Sequence, residues 1–471
     1  MKTRTLRSWA VLSVASALLA GGCGGGSSSG PGSEEEGEVV RTAGGEVIRT
    51  SDGRAVTIEA HNNWTEGLRL FAQYEQEGWN AERCEQVDGK FEEAVDAQHG
   101  AFAEAEYMRG LSLSRCGDTS GARDHYETAL EASPNLCTAK VAIAVMEQEA
   151  GRVREAKAMY EQAIEADGQC TEAYVNLARI QARGDAAQVD EAIQNVRRAL
   201  AVESQYLPAF NELALIYYRR GESAQNRSWL DLAEIVCRQA ELIDNHYAPI
   251  YNTWGLVKMR RGDLIEALRF FERAIQLDSS LYEAQMNFAQ ITNSFRGYED
   301  ARTAFGRAVE LQPRSYDAIV GLGAALRGLG QIDEAEAQYN RARELDDQRP
   351  EAYYNLALIY HDYKSGTEAD LNRAKEYYQQ FLQRAGDNPR YSEAKELVTR
   401  RCRDAQTARR GRRRIVRSSS CRPGRIQLIE QTVAAIHEGE AMQREMEEMQ
   451  RQQEEMERQQ SQEGAAPESK P

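Results

Sequence analysis

The chain has 471 residues, 41% of them hydrophobic and 28% charged, and its 74 acidic against 58 basic side chains leave a net charge of −16. That is ample apolar material for a large folded body, and the acidic balance argues against general nucleic-acid binding, which needs an excess of cations to displace phosphate counterions. Eight cysteines and six histidines are scattered without CxxC or HExxH spacing, so no metal, cofactor or catalytic residue is assigned and the chain reads as a non-enzyme.

At the N-terminus, Lys2, Arg4 and Arg7 precede an apolar stretch from Ala10 to Ala20, broken only by Ser13 and Ser16. This is too short to span a bilayer as a helix, so residues 1–22 read as a signal peptide. Ala20, Gly21 and Gly22 before Cys23 resemble a bacterial lipobox, with alanine where leucine is usual. The resemblance implies that the Cys23 thiol is lipidated and that cleavage precedes it; the alternative is ordinary cleavage leaving a free cysteine. Gly24, in place of the aspartate that favours inner-membrane retention, points to a lipid anchor in the outer membrane, facing the periplasm. Residues 23–61 are expected to be the lipidated cysteine and a flexible linker, with "GGGSSSGPGSEEEGE" at 24–38 as a charged tether.

Internal repeats dominate the body. A small residue recurs at Gly110, Ala144, Ala178, Ala214, Gly255, Ala289, Gly323 and Ala357, mostly 34 apart. Alanine recurs at 122, 156, 192, 233, 267, 301, 335 and 374, and seven residues later from 129 to 342, until Phe381 breaks the series. Between these two series stand Tyr126, Tyr160, Val196, Cys237, Phe271, Phe305, Tyr339 and Tyr378. The pattern matches the tetratricopeptide repeat (TPR), a 34-residue helix-turn-helix in which alanine or glycine lets two backbones approach and a larger side chain fills the space beside them. The expected fold is all-α, a right-handed superhelical TPR solenoid over 62–402. It has eight clear repeats, one degenerate repeat at about 62–100 and a capping helix at 390–402.

Such solenoids bind partners on the face lined by the first helix of each repeat. Counting from the small residues, the exposed inner positions are expected at Tyr107, Val141, Val175, Asn211, Asn252, Met286, Val320 and Tyr354. One turn further come Ser114, Gln148, Ala182, Tyr218, Met259, Asn293, Arg327 and His361. Arg115, Arg183, Arg219 and Arg260 lie beside them, so the groove suits an extended peptide or a helix bearing acidic groups. "GLGAALRGLG" at 321–330 reads as a small-residue helix of the seventh clear repeat, not a phosphate loop.

Of the seven cysteines beyond Cys23, up to three pairs are possible in an exported chain, and spacing does not fix the pairing. Cys237 stands where its neighbours carry an aromatic, and a buried unpaired thiol is expected there. Residues 403–425 read as an arginine-rich linker, its arginine run bracketed by Cys402 and Cys421. Its Arg409, Arg410, Arg412, Arg413 and Arg414 suit an anionic surface or an acidic partner, a solvated linker being the alternative. Residues 426–460 read as an amphipathic or coiled-coil helix with Ile429, Val433, Ile436, Met442, Met446, Met449 and Met456, its register broken at Gly439. Residues 461–471 are expected to be a disordered tail.

The combination of the "AGGC" anchor, the glycine and serine tether, the repeats, the chain length and the tail resembles the adventurous gliding motility TPR lipoproteins of gliding deltaproteobacteria. That resemblance implies a non-catalytic scaffold in the envelope complex that couples an inner-membrane proton-driven motor to surface adhesion, with envelope proteins in the groove and lipid at Cys23. The alternatives are a pilotin-like assembly lipoprotein for a secretin or pilus, and a regulatory subunit of envelope polymer synthesis or export.

Overall fold

The computed structural model describes residues 39–223, 227–400 and 423–463. The calls on the signal peptide, Cys23, the tether and the tail from residue 464 lie outside these residues, as does the arginine cluster Arg409, Arg410, Arg412, Arg413 and Arg414. So do Cys402 and Cys421. Two compact units divide between Ala284 and Gln285.

The first unit opens with a feature that the sequence reading assigned to the linker. Val40, Ile48 and Val56, eight residues apart, close a three-membered ring of backbone hydrogen bonds. Val40 N–H donates to the Val56 carbonyl, Val56 N–H to Ile48 and Ile48 N–H to Val40, each at 2.9 Å. The turns between them follow one pattern, "VRTAGGEV" then "IRTSDGRA", and isolated bridges pair Val39 with Thr57, Arg41 with Val47 and Arg49 with Ala55. Ile48 and Val56 are buried with Trp64 and Phe102. The expected linker to residue 61 is therefore corrected: residues 39–57 form a folded cap, because alternating valines and isoleucines supply an apolar face and "GG" and "DG" supply the turns.

Helices follow in pairs. In the first unit they are α1 (Ile58–Glu77) with α2 (Ala81–Ala97), α3 (Ala103–Cys116) with α4 (Thr119–Ala132), and α5 (Cys137–Glu149) with α6 (Val153–Ala166). Then come α7 (Thr171–Gln181) with α8 (Ala186–Val202), α9 (Leu207–Ser223) with α10 (Arg227–Ile243), and α11 (Ala248–Arg261) with α12 (Leu264–Leu277). Helix α13 (Tyr282–Ser294) spans the division and is followed in the second unit by α14 (Tyr298–Leu311), α15 (Tyr316–Gly328) and α16 (Ile332–Leu345). Next come α17 (Glu351–Leu358), which runs into a π-helical turn at Ile359–Tyr363, and α18 (Glu368–Ala385). Last are α19 (Ser392–Thr399) and α20 (Arg425–Glu463). The fold is all-α as expected, with eight clear pairs and the degenerate pair α1–α2. Among the described residues no helix is long and apolar enough to cross a membrane.

The small residues do what their spacing implied. A Cβ on Gly110 would stand 2.6 Å from the Tyr126 ring, one on Gly255 2.5 Å from Phe271, and one on Gly323 2.7 Å from Tyr339. These first helices thus lean against the aromatic of their own second helix at backbone distance. Gly67 of α1 repeats the contact with Phe91 of α2, at 2.8 Å, so the degenerate pair is built like the others. The alanines of the two flanking series are buried, and Cys237 fills the aromatic position as a buried free thiol. Gly262 ends α11 in the left-handed region, φ 88°, its N–H bonded to the last turn, and the chain turns directly into α12.

Two disulfides cross repeats in the first unit. Cys84 of α2 joins Cys116 at the end of α3, and Cys137 at the start of α5 joins Cys170, which caps α7, with Cα separations of 6.3 and 5.9 Å. In the second unit the closing element is α20. Its Ile429 is buried, and Ile426, Val433 and Ile436 pack with it against Tyr378, Phe381 and Val398. Arg425 donates to Asp362, and Lys375 pairs with Glu430 at 2.9 Å.

Candidate partner-binding surface

An α-helix turns by about 100° per residue, so positions three before and four after the small residue share its face. These are the two series expected to line the groove, and the structure corrects the first of them. Tyr107, Val141, Val175, Asn252 and Met286 are buried, and Asn211, Val320 and Tyr354 are partly covered. Tyr107 packs on Tyr126 at 5.6 Å between ring centroids, and Tyr354 on Phe381 at 5.0 Å, each against its own second helix. The reason is geometric: a side chain on the face of the small residue points at the partner helix, not away from it.

The second series flanks the same aromatics. Burial opposes the charge on Arg327, but the neighbouring Tyr339 holds its pKa above the usual value, and His361 stands edge-on to Tyr378 at 6.0 Å. Burial lowers the basicity of His361, opposed by Asp362. Tyr218 is partly covered on α9.

On α7, α9 and α11 the residues two before and five after the small residue, joined on α7 by Arg179 directly after it, point the other way and carry the polar groups. Arg179, directly after Ala178 on α7, donates from Nε to Glu212 of α9 at 3.1 Å and from Nη1 to Asn176 at 2.7 Å. Arg219 approaches the other Glu212 oxygen at 3.6 Å. The next first helix joins through Thr253 of α11, whose hydroxyl donates to Asn211 Oδ1 at 2.6 Å. Glu212 is only 1% exposed, whereas the side chains of Arg179 and Arg219 remain 39% and 35% exposed, so the carboxylate is the floor and the two guanidinium groups are the rim. Burial opposes the charge on Arg179, but the pairing with Glu212 outweighs it and holds its pKa above the usual value. Burial raises the Tyr206 and Tyr247 phenols, so both stay neutral.

Of the four arginines named from sequence, Arg183 and Arg260 are exposed on this face and Arg219 is on the rim. Arg115 is not available: it pairs with Glu75 at 2.6 Å, each side chain 10% exposed. Sequence reading missed Arg179 and Glu212, although counting 100° per residue from Ala178 and Ala214 places both on the outward face. Arrayed guanidinium and amide groups on successive helices can bind carboxylates and the main chain of an extended peptide. The one grouping of potential metal ligands among the described residues is Cys137, Cys170 and Glu172, and its two sulfurs are joined as a disulfide.

Residues 142–188 match a family model described as a tetratricopeptide repeat, and residues 323–362 match one described as a TPR repeat. No curated protein matches the chain. Among solved structures it is similar to a thermophilic TPR protein of Thermus thermophilus, with 26% identity over 41% of this chain and 99% of that one, TM-score 0.36. It is also similar to yeast Tom70, with 17% identity over 72% and 67% of the two chains, TM-score 0.44. The Pseudomonas aeruginosa pilF protein shares 17% identity over 49% and 96%, TM-score 0.37. With one matched segment in each unit and the small-on-aromatic contact repeated in both, the chain is an all-α array of tetratricopeptide repeats, and such repeats make it a protein–protein interaction scaffold.

Proposed function

We propose that this scaffold is exported, anchored in the outer membrane through acylated Cys23, and captures envelope proteins of the gliding motility machinery on its arginine-rimmed face. The observation that carries the export reading is the pair of disulfides, because cross-repeat cystines persist in oxidising compartments and are reduced in the cytosol. Cys237 fits the same picture: burial pushes its thiol well above the usual range, so it stays protonated and out of exchange with the paired cysteines. The rim of Arg179 and Arg219, with exposed Arg183, supports an acidic or C-terminal peptide as the ligand class. The assignment to gliding motility rests on the lipobox-like "AGGC", the tether, the chain length and the charged tail.

Metabolic palmitate labelling with membrane fractionation tests the anchor. The wild type should label and sediment with the outer membrane, and Cys23→Ser should be unlabelled and released with its repeats folded. An unlabelled wild type overturns the anchor. Crosslinking in the envelope tests the system: motility proteins support the reading, whereas secretin subunits or polymer synthases would reassign it.

A further inference from the structure

Helix α20 changes character along its length. Its docked residues Ile426, Ile429, Val433 and Ile436 would continue, at the same spacing, to Glu440 and Gln443, both polar, so docking ends near Gly439. Beyond it the sequence is three heptads, "EAMQREM", "EEMQRQQ" and "EEMERQQ", from 440 to 460. Met442, Met446 and Met449 form a new apolar stripe, 60%, 58% and 61% exposed. This stripe is turned by about 100° around the helix from the docked one, so the repeats that hold the first half cannot cover the second.

The heptads assign every residue a place. Met442, Met449 and Met456 take one seam position, d, and Met446, Gln453 and Gln460 take the other, a. The strong charges fall outside the seam, where Glu440 and Arg444, Glu447 and Arg451, and Glu454 and Arg458 stand four residues apart in the favourable order. Arg444 and Arg451 lie back along the helix, each donating from Nε to the carbonyl four residues before, at 3.2 Å. Flanking the seam are Gln443, Glu445, Gln450, Gln452, Glu457 and Gln459.

We infer that the distal part of α20 pairs, parallel and in register, with the same segment of a second copy of this chain. In that arrangement Glu445 meets Gln450 of the other copy and Gln452 meets Glu457, so no two like charges face each other. Gln453 and Gln460 then meet their own counterparts, and amide pairs each other's donor and acceptor. An antiparallel pairing sets a positions against d positions and leaves each glutamine amide buried on a methionine. The surface is therefore complementary to itself in one orientation, and this holds whether or not the chain is lipid-anchored.

The test uses the full chain carrying Cys23→Ser, so that lipid cannot drive association. Sedimentation equilibrium at micromolar concentration should give twice the chain mass. Adding Met442→Lys, Met446→Lys and Met449→Lys should return it to the single-chain mass with the circular dichroism of the repeats unchanged. Met442→Cys should form a disulfide-linked dimer under mild oxidation, and Glu448→Cys, on the outer face, should not exceed the parent. A single-chain mass throughout overturns the inference, as does a dimer that survives the triple lysine variant. Failure of Met442→Cys to crosslink overturns the parallel register.

Discussion

At the start of the repeats, residues 39–57 lay a ring of three backbone hydrogen bonds over α1 and α3, and two cystines follow, Cys84–Cys116 and Cys137–Cys170. At the far end, α20 lays Ile426, Ile429, Val433 and Ile436 against the last pair, and no cystine lies among the described residues of that unit. Both devices answer one problem. A repeat buries its apolar faces against its neighbours, so the first and last have an uncovered side. The N-terminal solution joins helices covalently and fixes its turns by side chains: Ser51 N–H donates to Glu104 at 2.7 Å, and Gln98 bonds both Ala55 and Thr57. The C-terminal solution rests on apolar burial with a few ion pairs, and its helix has length to spare beyond the contact.

The largest effect should come from cutting the covalent side of that contrast. Serine at Cys84, Cys116, Cys137 and Cys170 removes two cross-links of about 3 kcal/mol each. Hydrogen exchange should show lost protection in α2–α7 with α15–α18 unchanged, and a reductant should reproduce this in the wild type. An equal loss in both units would break the distinction.

Ile429→Ala opens the non-covalent side. Deleting a buried isoleucine costs about 2–5 kcal/mol, so the first turns of α20 and the Val398 region should exchange faster while the N-terminal cap stays protected. A smaller cost, about 1–3 kcal/mol, should follow Arg179→Ala, which leaves the buried Glu212 with Arg219 alone at 3.6 Å. The variant should also bind acidic peptides more weakly, measured by fluorescence anisotropy.

Glu104 sharpens the comparison through pH. Burial raises its carboxyl above the usual 4.5, against the pull of its hydrogen bonds. The folded chain thus holds this proton more tightly than the unfolded one. Its contribution is greatest below 4.5 and is lost as pH rises through the raised folded value. Glu104→Gln should flatten that slope in urea unfolding followed from acid to neutral pH, with no change in the exchange of α20. The smallest effect on stability, within about 0.5 kcal/mol, should come from Arg183→Glu with Arg260→Glu, because both are exposed. Peptide binding should still fall, and unchanged binding would move the site off this face.

Repeat number, helix order and the small-on-aromatic contact were legible in the sequence because each unit meets the same local demand every 34 residues, which leaves a periodic trace. The buried thiol at Cys237 was legible for the same reason: it occupies an aromatic's place in that trace. The placement of side chains on the first helices was half legible. Arg183, Arg219 and Arg260 were read as exposed or nearly so, but Arg179 was missed, the −3 positions were set on the wrong face, and Arg115 was counted as free because Glu75, 40 residues away, gives no local sign of meeting it. The cap at 39–57 did leave a signal, the eight-residue repeat of "VRT" and "IRT", but too short a one to stand out beside a glycine-rich tether.

What the sequence alone determined is therefore what repeats: the all-α class, the pairing of helices, the small residues where backbones meet, and the heptads of the last helix. Tertiary structure decided what does not repeat. It chose which cysteines pair, because Cα atoms near 6 Å can be reached only after neighbouring helices have stacked. It also decided that Arg179, Glu212 and Arg219 form one network, because their contacts arise only when α7 packs beside α9. Periodicity is a property of short-range packing and is written along the chain, whereas ion pairs and cystines between repeats depend on the twist from one helix pair to the next.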